Sequence, residues 1–355
     1  MSFLPFSIRR LWLLARGALV DRDRPRFEYL GSIEDPERFV WAILPHAARS
    51  FAPSILLLPE EEARAAAVGY LYARMLDTYE DLSTTPSATR DALSAFSGRF
   101  STERPGKAPS PPSPSAPDRR DRTHLLLIER HRLVDEVFSQ LSTGDRSRVI
   151  RLIEDMASGM IEFSGIFERQ GGVLRDEQQV LDYCHRVIGL PALFVMELLL
   201  GDLSGDQARD TMEVSALIQL ANITRDIEKD LLRGIAYHPA LEPHLGSDGN
   251  GPAAPDVAVA RRDLMVLATQ RAASFRRLVD AVDLPRLSPA RAAAVLMMLF
   301  TNRHYRDCAV AVGVPTRSAP HRFPAMVLAS LPAAVSPWWA TRVLLRVERD
   351  LLATV

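Results

Sequence analysis

Residues 70–82 read YLYARMLDTYEDL, and the spacing within that stretch decides the fold. Tyr70, Arg74, Asp77 and Asp81 recur at i, i+4, i+7 and i+11, so on a helix they form one stripe. Most intervening positions are apolar, which predicts a helix whose other faces meet a core. Asp77, Glu80 and Asp81 are also like charges one turn apart, each pair costing about 0.2–0.5 kcal/mol on a helix. Solvent, a basic partner or a metal ion must offset that repulsion.

A second cluster answers the first. In QLANITRDIEKD, residues 219–230, Asn222, Asp226 and Asp230 fall at i, i+4 and i+8, three oxygen ligands on one stripe. A single acidic motif of this kind reads first as a solvated helix face. Two of them, each with an arginine (Arg74, Arg225) and each inside an apolar helix, point to a site instead. Oxygen-only ligands suit Mg²⁺, which keeps several waters and completes its shell with substrate phosphate. The arginines supply fixed positive charge for a diphosphate. The chemistry implied is ionisation of an allylic diphosphate, with the apolar helices accommodating a carbocation. No Gly-rich phosphate loop is present, so P-loop and Rossmann chemistry have no support.

The rest of the 355 residues sets the context. Helical periodicity runs throughout and no alternating strand pattern is evident, so the expectation is one all-α domain. Predicted helices cover 36–56, 60–82, 88–96, 123–140, 145–169, 176–202, 206–233, 257–281, 288–311 and 337–353. Within the domain, 36–315, a Pro/Ser-rich flexible loop is predicted over 97–123 and a second loop over 242–256. The N-terminal segment 1–35 is basic and apolar without the shape of a signal peptide. Segment 316–355 is apolar but interrupted by Pro324, Pro332 and Pro337, and is read as docking or lying on a membrane surface. A net charge of −1 excludes a bulk basic footprint for nucleic acid. Two cysteines, Cys184 and Cys308, form neither a disulfide framework nor a metal motif, which fits a cytoplasmic setting with possible membrane association. Monomer and homodimer both stay open.

Five ordered blocks resemble the squalene and phytoene synthases, head-to-head prenyltransferases. ARSFAPSILL (48–57) is similar to that family's S-R-S-F block, and YLYARMLDTYEDL to its first acidic motif, in the form nearer squalene synthases. MASGMIEF (156–163), YCHRVIGLPA (183–192) and QLANITRDIEKD with YHP (237–239) resemble the other three. The resemblance implies an isoprenoid synthase helical fold around a central cavity. It assigns Asp77, Asp81, Asn222, Asp226 and Asp230 to Mg²⁺, and Arg49, Ser50, Arg74 and Arg225 to substrate diphosphate. Tyr183, Tyr70 and Arg74 are implied to be catalytic, while Glu80, Gln219, Lys229 and Arg233 stand beside these groups. The implied reaction joins two farnesyl diphosphates through presqualene diphosphate, followed by rearrangement with or without NADPH. Squalene synthases bind NADPH without a Rossmann motif, so its absence excludes nothing. Lys229 replaces a family glutamate, Ile235 a family arginine and Ala192 a family glycine. These departures keep a second reading open, a terpene cyclase or other coupling enzyme acting on one prenyl diphosphate.

Other residues read as structural. Cys184 and His185 are adjacent on a helix and so point about 100° apart, which argues against a nucleophilic pair. Met156, Met160, Phe163, Phe167, Met297, Met298 and Phe300 read as core, and His46, His304 and His321 lack ligand spacing.

Overall fold

The computed structural model describes residues 12–14, 24–48, 51–100, 104–282, 284–315 and 323–355. Among these the chain is helical, with one isolated parallel bridge, Val173 to Ala236, and no strand. The helices are α1 (Phe27–Gly31), α2 (Pro36–Ala47), α3 (Phe51–Leu56), α4 (Glu60–Leu82), α5 (Pro86–Gly98), α6 (Arg119–Glu129), α7 (His131–Ser139) and α8 (Thr143–Gln170). They continue with α9 (Glu177–Cys184), α10 (Leu190–Leu200), α11 (Gly205–Leu232), α12 (Ala254–Thr269), α13 (Ser274–Ala281), α14 (Pro289–Ala311), α15 (Phe323–Ser330) and α16 (Pro337–Leu352).

Local chemistry explains many of the starts. Asp35, Thr85, Asp176, Ser204, Ser288 and Ser336 each accept a hydrogen bond from a first-turn backbone N–H. Pro36, Pro86, Pro289 and Pro337 follow such caps at the first helical position, where no donor is needed. Helix α6 opens on a reciprocal capping box between Asp118 and Asp121. That box starts the helix four residues before the predicted 123, inside the stretch read as loop. Predicted helix 36–56 is two helices: Pro45 removes one donor near the end of α2, whereas Pro53 lies in the first turn of α3, where no donor is needed. Predicted 176–202 is interrupted by a π-turn, His185–Gly189, just before Pro191. The wide turn carries the chain past a residue with no N–H to give.

The chain divides into two compact units, residues up to 161 with 194–201, and 162–193 with 202–355. In the first, α4 runs through an aromatic core. Tyr72, Phe96, Phe100 and Phe138 meet edge to face at centroid distances of 5.2–6.1 Å. Arg99 lies against Tyr72, Phe96 and Phe100 and pairs with Asp135, which also accepts from Tyr72 Oη at 2.7 Å.

Segment 104–118 has no helix, as its composition predicts, yet it is tied to this core. Arg99 Nε donates to Gly106 O at 2.8 Å, and Tyr79 Oη donates to Pro109 O at 2.7 Å. Ala108 N donates to His131 Nε2 at 3.3 Å, while His131 Nδ1 bonds Ile128 O at 2.9 Å. Both ring nitrogens are therefore engaged, and only the neutral imidazole with its proton on Nδ1 satisfies both bonds.

In the second unit α11 packs on α12, α13 and α14, and α14 carries α15 and α16 on another face. The bridge near Val173 needs a glycine. Gly172 has φ +91°, and a Cβ there would lie 2.2 Å from Gly234 O. Segment 316–355, over its described residues, is helical and docks on α14. Among the described residues one run, Glu177–Leu200, is long and apolar enough to cross a membrane, and the π-turn divides it.

Candidate functional site

Helix α4 shows its stripe by exception. From Ala65 to Tyr79 every residue is buried except Tyr70, Arg74 and Asp77, and Asp81 beyond them is exposed. Packing therefore consumes every face but the one carrying these side chains. Arg74 organises it, donating to Tyr70 Oη at 2.8 Å and pairing with Asp77 Oδ2 at 3.0 Å. Its guanidinium lies 5.6 Å from the Tyr70 ring centroid, and Phe51 stacks on that ring at 5.8 Å. Arg74 Nε is buried without a hydrogen-bond partner, one donor still to be satisfied. Burial pushes the Asp77 carboxyl above its ordinary pKa; Arg74 and Arg120 oppose this, while the Asp81 charge adds to it. Glu80 is half-buried beside the stripe.

Helix α11 repeats the pattern. From Val214 to Ile227 only Ile218, Asn222, Arg225 and Asp226 escape burial. Arg225 grips the neighbouring Asp226 through Nε and Nη2 at 2.8 and 2.5 Å. That hydrogen bond is the main cause holding the Arg225 guanidinium above its ordinary pKa. Asn222 Nδ2 donates to the buried Gln219 Oε1 at 3.1 Å, which leaves the Asn222 carbonyl oxygen oriented by its own amide. Asp230 is half-buried one turn on. Lys229 is exposed at i+7 from Asn222 and i+3 from Asp226, on the same face of the helix, and Arg233 is exposed at the helix C-terminus. Glu228 faces elsewhere, accepting twice from Arg261 at 2.7 and 2.8 Å.

Tyr183 ends α9 in an aromatic box. Phe163, Phe167 and Tyr237 surround it at 5.3, 6.1 and 5.1 Å, and Tyr237 Oη donates to Tyr183 Oη at 3.2 Å. Gly189 closes the π-turn against α11, where a Cβ would lie 2.7 Å from Met212 Sδ. Cys184 is buried with its thiol pushed up by desolvation, so it carries no thiolate at neutral pH.

Three residues were not legible as site members. Arg120 acts on Asp77 from the start of α6, within an RRDR run read as loop. His304 on α14 accepts from Arg225 Nη1 at 3.4 Å, and burial with the adjacent Arg225 lowers its pKa to about 4, so it stays neutral. Tyr237 reaches Tyr183 across 54 residues of sequence. Arg49 and Ser50, expected at diphosphate, lie outside the described residues.

The donor set suits a cation that brings its own ligands. The Asp81 charge adds to the cost of ionising Asp77, and every candidate ligand is an oxygen donor. Among the described residues no three His, Cys, Asp or Glu side chains cluster closely enough to hold a metal by themselves. Mg²⁺ needs no such cage, since one or two carboxylates, water and phosphate suffice.

Comparison with known proteins narrows the chemistry. Residues 44–309 match the family described as squalene/phytoene synthase. Lycopaoctaene synthase of Botryococcus braunii is 28% identical over 207 residues, 56% of this chain and 43% of that one. Squalene synthase of Schizosaccharomyces pombe is 29% identical over 216 residues, 59% of this chain and 45% of that one. The chain thus matches less than half the length of either relative. In fold, it superposes on the complex of TcSQS with the ligand E5700 at TM-score 0.69 and 17% identity, covering 91% and 93% of the two chains. A dehydrosqualene synthase in complex with a ligand gives TM-score 0.54 at 14% identity, covering 86% and 98%.

Proposed function

Since the chain belongs to the squalene/phytoene synthase family, we propose that it couples two prenyl diphosphates head to head, farnesyl diphosphate being the substrate. The observation that carries this reading is the pair of helices whose central turns, Ala65 to Tyr79 and Val214 to Ile227, are buried except at Tyr70, Arg74, Asp77, Ile218, Asn222, Arg225 and Asp226. Asp77 and Asp81 on α4, and Asn222, Asp226 and Asp230 on α11, would hold Mg²⁺. Bound there, Mg²⁺ supplies charge stabilisation for departing pyrophosphate. Arg74 and Arg225 add fixed positive charge, and the unpartnered Arg74 Nε is a donor available to a phosphate oxygen. Tyr70 is held by Arg74 and contributes a ring face beside the leaving group.

Helix α10, LPALFVMELLL, is apolar along almost its whole length, with Phe194 and Leu198 buried and its other residues half-buried. Tyr183 and its aromatic neighbours offer π faces to a cation and, through Tyr237, a hydrogen-bonded hydroxyl for proton transfer. Tyr183→Phe keeps the ring packing and removes the hydroxyl. Turnover is expected to fall roughly a hundredfold with an unchanged melting temperature; equal loss of both would make the tyrosine merely structural.

The single-substrate cyclase reading rests on Lys229 and Ile235. Lys229 is exposed on the same helix face as Asn222 and Asp226, so it sets a positive charge beside the candidate ligands, and that reading stands as the alternative. Incubating the protein with farnesyl diphosphate and Mg²⁺, with and without NADPH, decides the matter. A product of two farnesyl chains supports coupling, and its saturation at the central bond reports whether NADPH is used. A cyclised product of one chain, or untouched substrate, refutes it.

A further inference from the structure

Helix α11 carries more positive than negative charge on the face that bears its ligands. At about 100° per residue, Arg225, Lys229, Asn222, Arg233, Asp226 and Asp230 follow one another around an arc of about 140°. Three cations share that face with two carboxylates, Glu228 being drawn away by Arg261. Lys229 falls between Arg225 and Asp226 in this order, is exposed, and makes no ion pair among the described residues. Taken by itself, the stripe of α4 has the opposite sign. There Asp77, Glu80 and Asp81 stand against Arg74, with Arg120 acting on Asp77 from α6.

Arg225 also occupies a ligand. Neighbouring residues on a helix point about 100° apart, so its guanidinium leaves its own direction to grip both oxygens of Asp226, at 2.8 and 2.5 Å. His304 meets the same guanidinium from α14, 3.4 Å from Nη1. The contact is surplus to the helix, whose favourable charge pairs lie three or four residues apart. It leaves the Asp226 charge balanced, with Lys229 as a second cation beside it. We propose that the α11 stripe is loaded diphosphate first. Arg225 and Lys229 bind a diphosphate in the absence of any divalent cation. The Arg225 guanidinium then passes from Asp226 to phosphate oxygen, and that move frees Asp226 to take Mg²⁺. A diphosphate outbids one carboxylate for the fork because it offers the same bidentate geometry with more charge. Lys229 supplies as fixed charge part of what a further cation would bring. Diphosphate and cation are thereby coupled, each tightening the other by the same factor. This order rests on the reading of α11 as a Mg²⁺–diphosphate site, which coupling and cyclisation share.

Calorimetric titration of the full chain with inorganic pyrophosphate in EDTA tests this. Binding is expected without any divalent cation, and Arg225→Gln and Lys229→Gln should each weaken it about tenfold. Mn²⁺ titrated alone and followed by EPR should move the other way. It is expected to bind several-fold more tightly in both variants, since each removes positive charge beside Asp226 and Arg225→Gln also releases its oxygens. Arg209→Gln, an exposed arginine at the start of the same helix, should change neither titration. Weakening of both titrations by either α11 variant overturns the proposal, because it reports a damaged helix rather than a charge beside Asp226. Pyrophosphate binding only when Mg²⁺ is present, or α11 variants that match wild type in both titrations, overturns the order while the diphosphate site stands. Pyrophosphate binding under neither condition overturns the reading of the site itself.

Discussion

Asp77→Asn is expected to reduce turnover about a thousandfold, the scale of several kcal/mol lost when a metal-borne charge no longer meets the leaving group. The substitution keeps the shape of the side chain and one acceptor for Arg74, so α4 should remain intact. Stability supplies an independent readout with a definite sign. Burial and the nearby Asp81 charge raise the Asp77 pKa in the folded state, so its ionised form costs stability once the pH exceeds the unfolded carboxylate value of about 4. In metal-free protein Asn should therefore match or exceed the melting temperature of wild type at neutral pH. That margin should shrink to nothing as the pH falls through the folded pKa toward about 4. Full activity in Asp77→Asn would sink the assignment, and lost activity with lost stability would reduce it to a folding defect.

Asp135→Ala is expected to cost about 3–5 kcal/mol, read as a lower urea midpoint at unchanged slope. The Arg99 side chain is 1% exposed and Asp135 14%, so the deletion strands a guanidinium among Tyr72, Phe96 and Phe100. Tyr72 Oη loses its acceptor in the same step. Pairing the change with Arg99→Met should recover much of the loss, because a buried ion pair replaced as a unit by apolar groups is often neutral or better. A single-variant loss below about 1 kcal/mol, the range of exposed pairs, would show that solvent reaches the pair.

The acidic stripes were legible because their signal is local. Four polar residues recurring at helical spacing through apolar sequence require one wet face, and burial of every other position from Ala65 to Tyr79 follows from that pattern. Helix α4 matched its predicted bounds, 60–82, for the same reason. What the sequence hid depends on long-range meetings. His304 reaches Arg225 across 79 residues, and Tyr237 reaches Tyr183 across 54. Tyr237 opens the YHP run that marks its block, but nothing local names Tyr183 as its partner, and His304 carries no local mark. The start of α6 was hidden differently: its capping box sits in a run of arginines and aspartates whose composition resembles a loop. The π-turn was foreshadowed by Pro191 alone, which shows that a helix must yield but not how.

The bond from Ala108 to His131 gives the Pro/Ser-rich segment a dependence on acidity. Burial lowers the imidazole pKa, so the neutral ring's stabilising effect is complete above about pH 6.5 and is lost as the pH falls through the folded value. Protonation converts Nε2 from acceptor to donor, and the Ala108 amide then has no oxygen or nitrogen to meet there. Hydrogen exchange at Ala108, corrected for its intrinsic rate, should accelerate in mild acid while Tyr79 still holds Pro109. A segment whose composition speaks for disorder would thus behave as a latch, with one imidazole as its catch.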